Sequence, residues 1–311
     1  MANTNPYGNK YLHKANKAKE DEFYTLLPDI ERELRHYKQF FQGKIIFCNC
    51  DDPDYSNFWK YFQLNFYELG LKKLISTHYE TEKPSYKLEI VAKDQDKQIG
   101  IPEYVKTPLT QNGDFRSPEC IEILKEADII ITNPPFSLFR EYVAQLMEYD
   151  KKFIIIGNQN AITYKEIFKL LQENRMWLGY TNGEMEFMVP DYYEPKATRY
   201  REENGIKYRS MGSTCWFSNL DVAKRHENIV LFRTYNEEDY PKYDNYDAIE
   251  CSRVSNIPVD YDGVIGVPIT FMYSYNPDQF EIVRFRKGND DRDLSINGKC
   301  PYFRILIRKK R

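Results

Sequence analysis

Ala127-Asp128-Ile129-Ile130-Ile131-Thr132 runs directly into Asn133-Pro134-Pro135-Phe136. The first part is an apolar run of strand length without polar alternation, the pattern of a strand covered on both faces. Two consecutive prolines then end it, since they neither extend a ladder nor donate to one. A helical pattern follows over Leu138–Tyr149. The tetrapeptide therefore falls at a strand's carboxyl end, where parallel sheets bind their ligands. There the Asn133 side-chain oxygen and the Pro134 carbonyl can accept from one planar NH₂ group, and Phe136 offers a face for a heterocycle. Acceptors drawing on both hydrogens of an exocyclic amine leave its lone pair freer for in-line attack on a methyl donor. The plainer alternative is an ordinary strand-ending turn, common for Asn-Pro.

Outward from this stretch, the spacing predicts further strands at Lys44–Asn49, Lys73–Thr77, Lys87–Val91 and Phe153–Gly157. Helical patterns lie between and around them at Asp29–Phe41, Ser56–Leu69, Pro118–Glu126 and Tyr164–Glu173. Ser117-Pro118 reads as an N-cap with proline at the first helical position, and Thr163 with Glu166 as a capping box. Such alternation predicts βαβ units and a mostly parallel sheet. From about residue 180 the texture changes. Short strands are expected at Trp177–Tyr180, Glu186–Val189, Thr214–Ser218, Ile229–Arg233, Phe280–Arg284 and Pro301–Ile307, separated by loops rich in Tyr, Asp, Asn and Pro, the first of them completing the sheet.

The chain has 311 residues, 41% hydrophobic and 29% charged, which fits one large α/β domain with an appendage, or two domains. No apolar run approaches the about 20 residues of a membrane span, and the polar start Met1-Ala2-Asn3-Thr4-Asn5 lacks a signal-peptide core, so a cytoplasmic protein without membrane association is expected. The six cysteines are scattered, which points to buried free thiols and not to a metal site. A formal net charge of -3 does not by itself indicate a polyanionic partner. Both ends are nonetheless locally basic: Lys10, Lys14, Lys17 and Lys19 at one, and Lys299, Arg304, Arg308, Lys309, Lys310 and Arg311 at the other. These are either solvated tails or phosphate contacts.

Asn133-Pro134-Pro135-Phe136 is the N-P-P-[FYW] motif of S-adenosylmethionine-dependent amino-methyltransferases acting on DNA adenine, and the wider chain resembles the EcoRI-type DNA adenine methyltransferases. The resemblance runs through Asp21-Glu22-Phe23-Tyr24-Thr25, Cys48-Asn49-Cys50-Asp51-Asp52-Pro53, Gly113-Asp114-Phe115-Arg116-Ser117-Pro118-Glu119-Cys120, Ala127 to Arg140, Gly157-Asn158, and Trp216-Phe217-Ser218-Asn219-Leu220-Asp221. It covers most of residues 1–221 and thins beyond. It implies a Rossmann-like sheet of the α/β class for residues 1–221 and a loop-rich target-recognition region over 222–311. Phe23, Tyr24 and Thr25 would pack on the methionine part of the cofactor, as would the loop holding Asn49, Asp51 and Asp52. That loop lacks the family's usual glycines, reading Asp51-Asp52-Pro53-Asp54-Tyr55-Ser56-Asn57. Its carboxylates suit a cofactor carrying a sulfonium and an ammonium, with helix capping by Asp52 or Asp54 as the alternative.

Asp114, by the same resemblance, would accept from the cofactor's adenine amine beside Phe115. The acid on the ribose hydroxyls stays open, with Glu80 one candidate. Of Trp216 and Phe217, neighbours on an expected strand, one could close over an extruded base, or both could be core. Pro190-Asp191 and Glu194-Pro195-Lys196 echo a nuclease site, but Asp191 and Glu194 are too close to sit on adjacent strands. No zinc spacing and no P-loop occur, and the four histidines lie at unrelated positions. The resemblance predicts an adenine-N6 methyltransferase that flips its base out of duplex DNA, with Lys14 and Lys17 as phosphate contacts, and the modification partner of a restriction system. One-strand-at-a-time methylation requires only a monomer. A methyltransferase acting on RNA or protein glutamine, and a catalytically silent DNA-binding module, are the other readings.

Overall fold

A computed structural model describes residues 23–50, 52–80, 84–92 and 100–310. They divide into two compact units: residues up to Gln159 with Gly179–Leu220, and Asn160–Leu178 with Asp221–Arg311. The segment 160–178, placed in the first domain by the sequence reading, thus packs with the C-terminal residues.

In chain order the strands begin with β1 (Tyr24–Thr25), β2 (Ile45–Cys48), β3 (Lys73–Thr77), β4 (Tyr86–Val91), β5 (Val105–Pro108), β6 (Ile129–Thr132) and β7 (Lys152–Asn158). The two-residue β8 (Trp177–Leu178) belongs to the second unit. Strands β9 (Met185–Val189), β10 (Tyr200–Glu203), β11 (Ile206–Met211) and β12 (Thr214–Ser218) return to the first. The second unit continues with β13 (Ala248–Glu250), β14 (Val264–Pro268), β15 (Phe280–Phe285) and β16 (Arg304–Lys309). The helices are α1 (Leu27–Leu34), α2 (Asn57–Leu64), α3 (Pro118–Glu126), α4 (Phe139–Glu148) and α5 (Lys165–Gln172).

The first unit is mixed α/β, and its main sheet runs β5-β4-β3-β2-β6-β7-β12. Strands β3, β2, β6 and β7 are parallel. Every residue of β2 and of β6 is buried, as expected of a central strand with both faces covered. The chain moves outward from β2 to β3, then returns through α3 to β6 on the other side of β2, so the strand order reverses between β2 and β6. Sheets of this kind bind their ligands at such a reversal, beyond the carboxyl ends of the strands, and Asn49 and Asn133 are the first residues past β2 and β6.

Several expectations need correcting. Lys87–Val91 lies in β4, which is antiparallel to β3, and β5, not foreseen, is antiparallel to β4. The half-buried alternation of β4 suits a sheet margin with one solvated face. Strand β12 does complete the sheet, antiparallel to β7. Met185–Val189 instead joins a separate sheet, β1-β9-β11-β10. Its β10–β11 hairpin turns at Asn204-Gly205, both at positive φ (50° and 77°), a signal of alternating runs joined by Asn-Gly that the sequence carried. Ser117 caps α3 as expected, accepting from Cys120 N. Thr163 does not cap α5: Tyr164 occupies that position, and the Thr163 hydroxyl donates to Asn160 O at 2.7 Å.

The second unit has a sheet of order β13-β14-β16-β15 over a core of Tyr243, Ala248, Val264, Leu294 and Leu306. Helix α5 packs Phe168 on Phe285, with ring centroids 4.7 Å apart, and Gln172 donates to the carbonyls of Ile282 and Val283. Ile229–Arg233, expected as a strand, makes only a bridge from Arg233 to Pro258 and leaves Val230 and Phe232 exposed. Cys300 is exposed and Cys50 half-buried, against the expectation of uniformly buried thiols; the other four are buried, and among the described residues none forms a disulfide. Among the described residues no helix is long and apolar enough to cross a membrane.

Candidate active site

Strand β6 ends where Asn133-Pro134 leaves the ladder, and Phe136–Leu138 forms a single 3-10 turn, with Leu138 N donating to Pro135 O at 2.9 Å, before α4. Asn133 is 7% exposed and Pro134 buried, whereas Pro135 and Phe136 are half-buried. The Asn133 amide is fixed by one bond: Nδ2 donates to the Phe23 carbonyl oxygen at 2.6 Å. Its Oδ1 is buried and takes no donor from the described residues. A buried amide oxygen without a donor costs free energy, about 1–3 kcal/mol, and is an acceptor held ready for a ligand. Phe136 stacks on Phe23 at 5.9 Å and 29°, and Phe187 and Tyr193 meet the other sides of the Phe23 ring edge-on.

Asn49 is tied across the point where strand order reverses. Thr132 Oγ1 donates to its carbonyl, and the hydroxyl of Tyr142, on α4, donates to its Oδ1. Ser76 Oγ donates to the neighbouring Cys48 carbonyl at 2.8 Å. Burial pushes the Tyr142 phenol far above its ordinary pKa, so it remains a donor. The side-chain oxygen of Asn49 is thereby engaged by α4, while its backbone carbonyl ties the β2 end to the β6 end. Cys50, next in the chain, takes φ +62°, the left-handed conformation that non-glycine residues rarely adopt.

Asp51 lies outside the described residues. Asp52 accepts from Asp54 N at 3.0 Å and faces His78 Nε2 at 3.7 Å; Asp54 accepts from the Tyr86 hydroxyl at 2.8 Å. Neither acid caps α2: Ser56 does, accepting from Trp59 N. Thr25 is buried with its Oγ1 unpartnered among the described residues, and its carbonyl accepts from Asn57 Nδ2 at 2.7 Å. Tyr24 lies half-buried against Tyr55, ring centroids 5.8 Å apart.

Asp114 and Phe115 sit in the loop before α3, beside a concavity of about 470 Å³ lined by Gln111, Asn112, Asp114, Arg116, Ser117 and Pro118. Gly113 has φ +78°, and a Cβ there would stand 1.9 Å from the His78 carbonyl oxygen, so this loop requires glycine. Asp114 is clasped by Arg116, whose N and Nε donate to Oδ1 and Nη2 to Oδ2 at 2.7–2.8 Å. Burial alone raises its pKa; the hydrogen bonds and charge of Arg116 more than reverse that, so it stays ionised. Phe115 is buried edge-on against Tyr142 and its carbonyl accepts from Gln145. Glu80 is half-buried, its backbone N–H donating to Asn112 O at 2.9 Å.

Trp216 and Phe217 need correction as base-closing residues. On β12 they face opposite sides of the sheet and are 1% and 0% exposed, Trp216 against Phe58 and Phe217 against Phe139. With both faces of β12 covered, neither ring is open to meet a base. Lys14 and Lys17 lie outside the described residues. Sequence reasoning missed Thr132, Tyr142 and Arg116, which brace Asn49 and Asp114 through contacts no local pattern encodes.

The chain matches the family model of the adenine-specific methyltransferase EcoRI over residues 11–310, and it belongs to that family. It is 52% identical to the type II methyltransferase M.EcoRI of Escherichia coli, covering 97% of each chain. Two more distant relatives are the type II methyltransferases M.MgeORF184P of Mycoplasma genitalium, 40% identical over 96% of this chain and 99% of that one, and M.MpnI of Mycoplasma pneumoniae, 37% identical over 96% and 98%. No solved structure matches.

Proposed function

We propose that this chain is a site-specific DNA methyltransferase that moves a methyl group from S-adenosylmethionine to N6 of an adenine flipped out of the duplex, as the modification partner of a restriction system. The observation that carries this reading is the pinned Asn133 amide, with Nδ2 spent on Phe23 and a buried Oδ1 awaiting a donor beside the half-buried ring of Phe136.

The main sheet, with its reversal between β2 and β6, supports a Rossmann-like methyltransferase assignment. The residues present fit the cofactor. Thr25 offers a buried unpartnered hydroxyl, Asp52 a carboxylate for the cationic methionine end, and the concavity at Asp114 is of a size for a nucleoside moiety. When bound, the cofactor supplies a methyl group on an electrophilic sulfonium. Phe23, Tyr24, Thr25 and Asp52 would hold its methionine end, and Asp114, with lone pairs left beyond Arg116, its adenine amine.

Asn133 Oδ1 and the Pro134 carbonyl accept the two amine hydrogens of the target base, drawing its nitrogen lone pair out of conjugation. Phe136 stacks on the ring, worth about 1–3 kcal/mol against the few kcal/mol that unstacking costs. The methylated nitrogen releases its extra proton to water, so no general base is required. We assign catalysis to residues 1–221 and target recognition to 222–311, where Arg308, Lys309 and Lys310 line an open groove of about 790 Å³ with Asp262 and Glu281. The test is incubation with radiolabelled S-adenosylmethionine and duplex DNA: label recovered as N6-methyladenine supports the assignment, and label in RNA or protein glutamine alone refutes it.

A further inference from the structure

We infer that Phe23 is a positioning residue through which occupancy of the methyl-donor end sets the orientation of the Asn133 amide, coupling cofactor binding to acceptance of the flipped base. This rests on the reading of Asn133–Phe136 as the base pocket and of Thr25 with Asp52 as the donor end.

Phe23 joins the two ends physically. Its carbonyl holds Asn133 Nδ2 at 2.6 Å, and its ring stacks on Phe136. Two residues on, the Thr25 carbonyl accepts from Asn57 Nδ2, at the start of α2 just past the acidic loop, and the Thr25 hydroxyl is buried without a partner among the described residues. Between these ties β1 is only two residues long, paired to β9 at Tyr24↔Met188 and Thr25↔Phe187. So short a strand adds little rigidity of its own, and its placement depends on what it touches at each end. Asn133 has no other hydrogen-bond partner among the described residues that chooses between its two amide orientations. Without the Phe23 carbonyl, the amide can turn and present Nδ2, a donor, to the donor hydrogens of an adenine amine. A ligand that satisfies Thr25 and packs against this segment therefore favours the orientation that accepts a base. By linkage the base must favour that ligand equally.

The experiment uses the full chain and a duplex carrying 2-aminopurine at the adenine that sequencing shows to be modified. S-adenosylhomocysteine is the donor-end probe. Base extrusion is read by fluorescence, and each ligand's affinity is measured with and without the other. In the natural chain the probe should raise the fluorescence and tighten DNA binding, and DNA should tighten probe binding by the same factor, about 5–150-fold. Phe23→Leu removes the stack, and Asn57→Ala frees the Thr25 end without touching either pocket. In Asn57→Ala each ligand alone should bind within a few-fold of the natural chain while the mutual factor falls towards one; in Phe23→Leu, whose ring also packs on the donor end, the mutual factor should fall towards one whatever the change in probe affinity. A mutual factor unchanged in both variants, or absent from a natural chain that methylates DNA normally, overturns the coupling. Where Phe23→Leu loses both ligands outright, Asn57→Ala decides between the same two outcomes. Absence of methyl transfer to DNA overturns the functional reading itself.

Discussion

Asn133 and Phe23, 110 residues apart in the chain, meet through a single hydrogen bond from a side-chain amide to a backbone carbonyl. Because a carbonyl can only accept, the bond assigns Nδ2 to Phe23 and leaves Oδ1 as the acceptor for a ligand. Asn133→Asp keeps the shape and loses the donor, and its carboxylate repels the Phe23 carbonyl. Loss of a preorganised polar group of this kind costs about 10²–10³ in turnover. Single-turnover methyl transfer should therefore fall by that factor in Asn133→Asp and further in Asn133→Ala, with S-adenosylhomocysteine affinity kept within a few-fold. Unimpaired turnover in Asn133→Ala would contradict the role given to Oδ1, and in Asn133→Asp, which keeps an acceptor oxygen there, the role given to the bond with Phe23.

Phe136 is half-buried, with one face on Phe23. Phe136→Leu retains apolar bulk but no aromatic face, and should forfeit about 1–3 kcal/mol of stacking. The expected readout is a weaker 2-aminopurine signal at saturating DNA and a fall in kcat, with little change in DNA affinity, which phosphate contacts dominate.

What the sequence made legible was periodic or punctuated. The continuous apolar runs of β2, β6 and β7 and the Ser117-Pro118 start of α3 follow from local rules, and each lies within a residue or two of its expected bounds. Two adjacent aromatics at Trp216 and Phe217 carry no mark of which strand lies on either side, so their burial could not be read. The antiparallel sense of β4 likewise depends on where the chain turns, not on the composition of the strand. In the site, Asn133 was legible from its proline neighbours, whereas its partner is a backbone atom, and every residue has one. Cys50 shows the same limit from the other side: a left-handed φ stands where no glycine announced it.

Gly113 meets two constraints at once, a φ of +78° and a Cβ position 1.9 Å from a backbone oxygen. The left-handed conformation alone costs a non-glycine residue about 1–2 kcal/mol, and the contact with His78 cannot be relieved by a side-chain rotation. Gly113→Ala should displace the loop carrying Asp114 and Phe115. Calorimetry should show S-adenosylhomocysteine binding weakened at least tenfold, while the 2-aminopurine duplex still binds.

Glu33 is 0% exposed on α1 and accepts from Tyr180 N, Thr181 N, Thr181 Oγ1 and the Tyr37 hydroxyl at 2.6–2.9 Å. It fastens the residues that lead into β9. Glu33→Ala strands four donors in the interior, and breaking a buried charged network of this kind costs about 3–5 kcal/mol. Thermal melts should show a drop of several degrees at least; a shift within error would mean that water takes over the four donors.

His226 lies in the second unit between two carboxylates, Nδ1 2.6 Å from Asp278 and Nε2 2.9 Å from Asp221. Hydrogen bonds to Asp278 and then Asp221 raise its pKa above the ordinary 6.5. A histidine whose folded pKa is raised binds its proton more tightly in the native state, so the stabilisation is complete below pH 6.5 and is lost as pH climbs through the raised value. Because the ring is 43% exposed, solvent screening keeps the effect small, on the order of a few tenths to 1 kcal/mol. The melting temperature of the natural chain should exceed that of His226→Ala most at pH 6 and low salt. The gap should narrow by pH 8.5 and on adding 0.5 M salt, roughly where the Debye length falls below 5 Å. A gap that widens with pH would reverse the sign and remove the imidazolium from between Asp221 and Asp278.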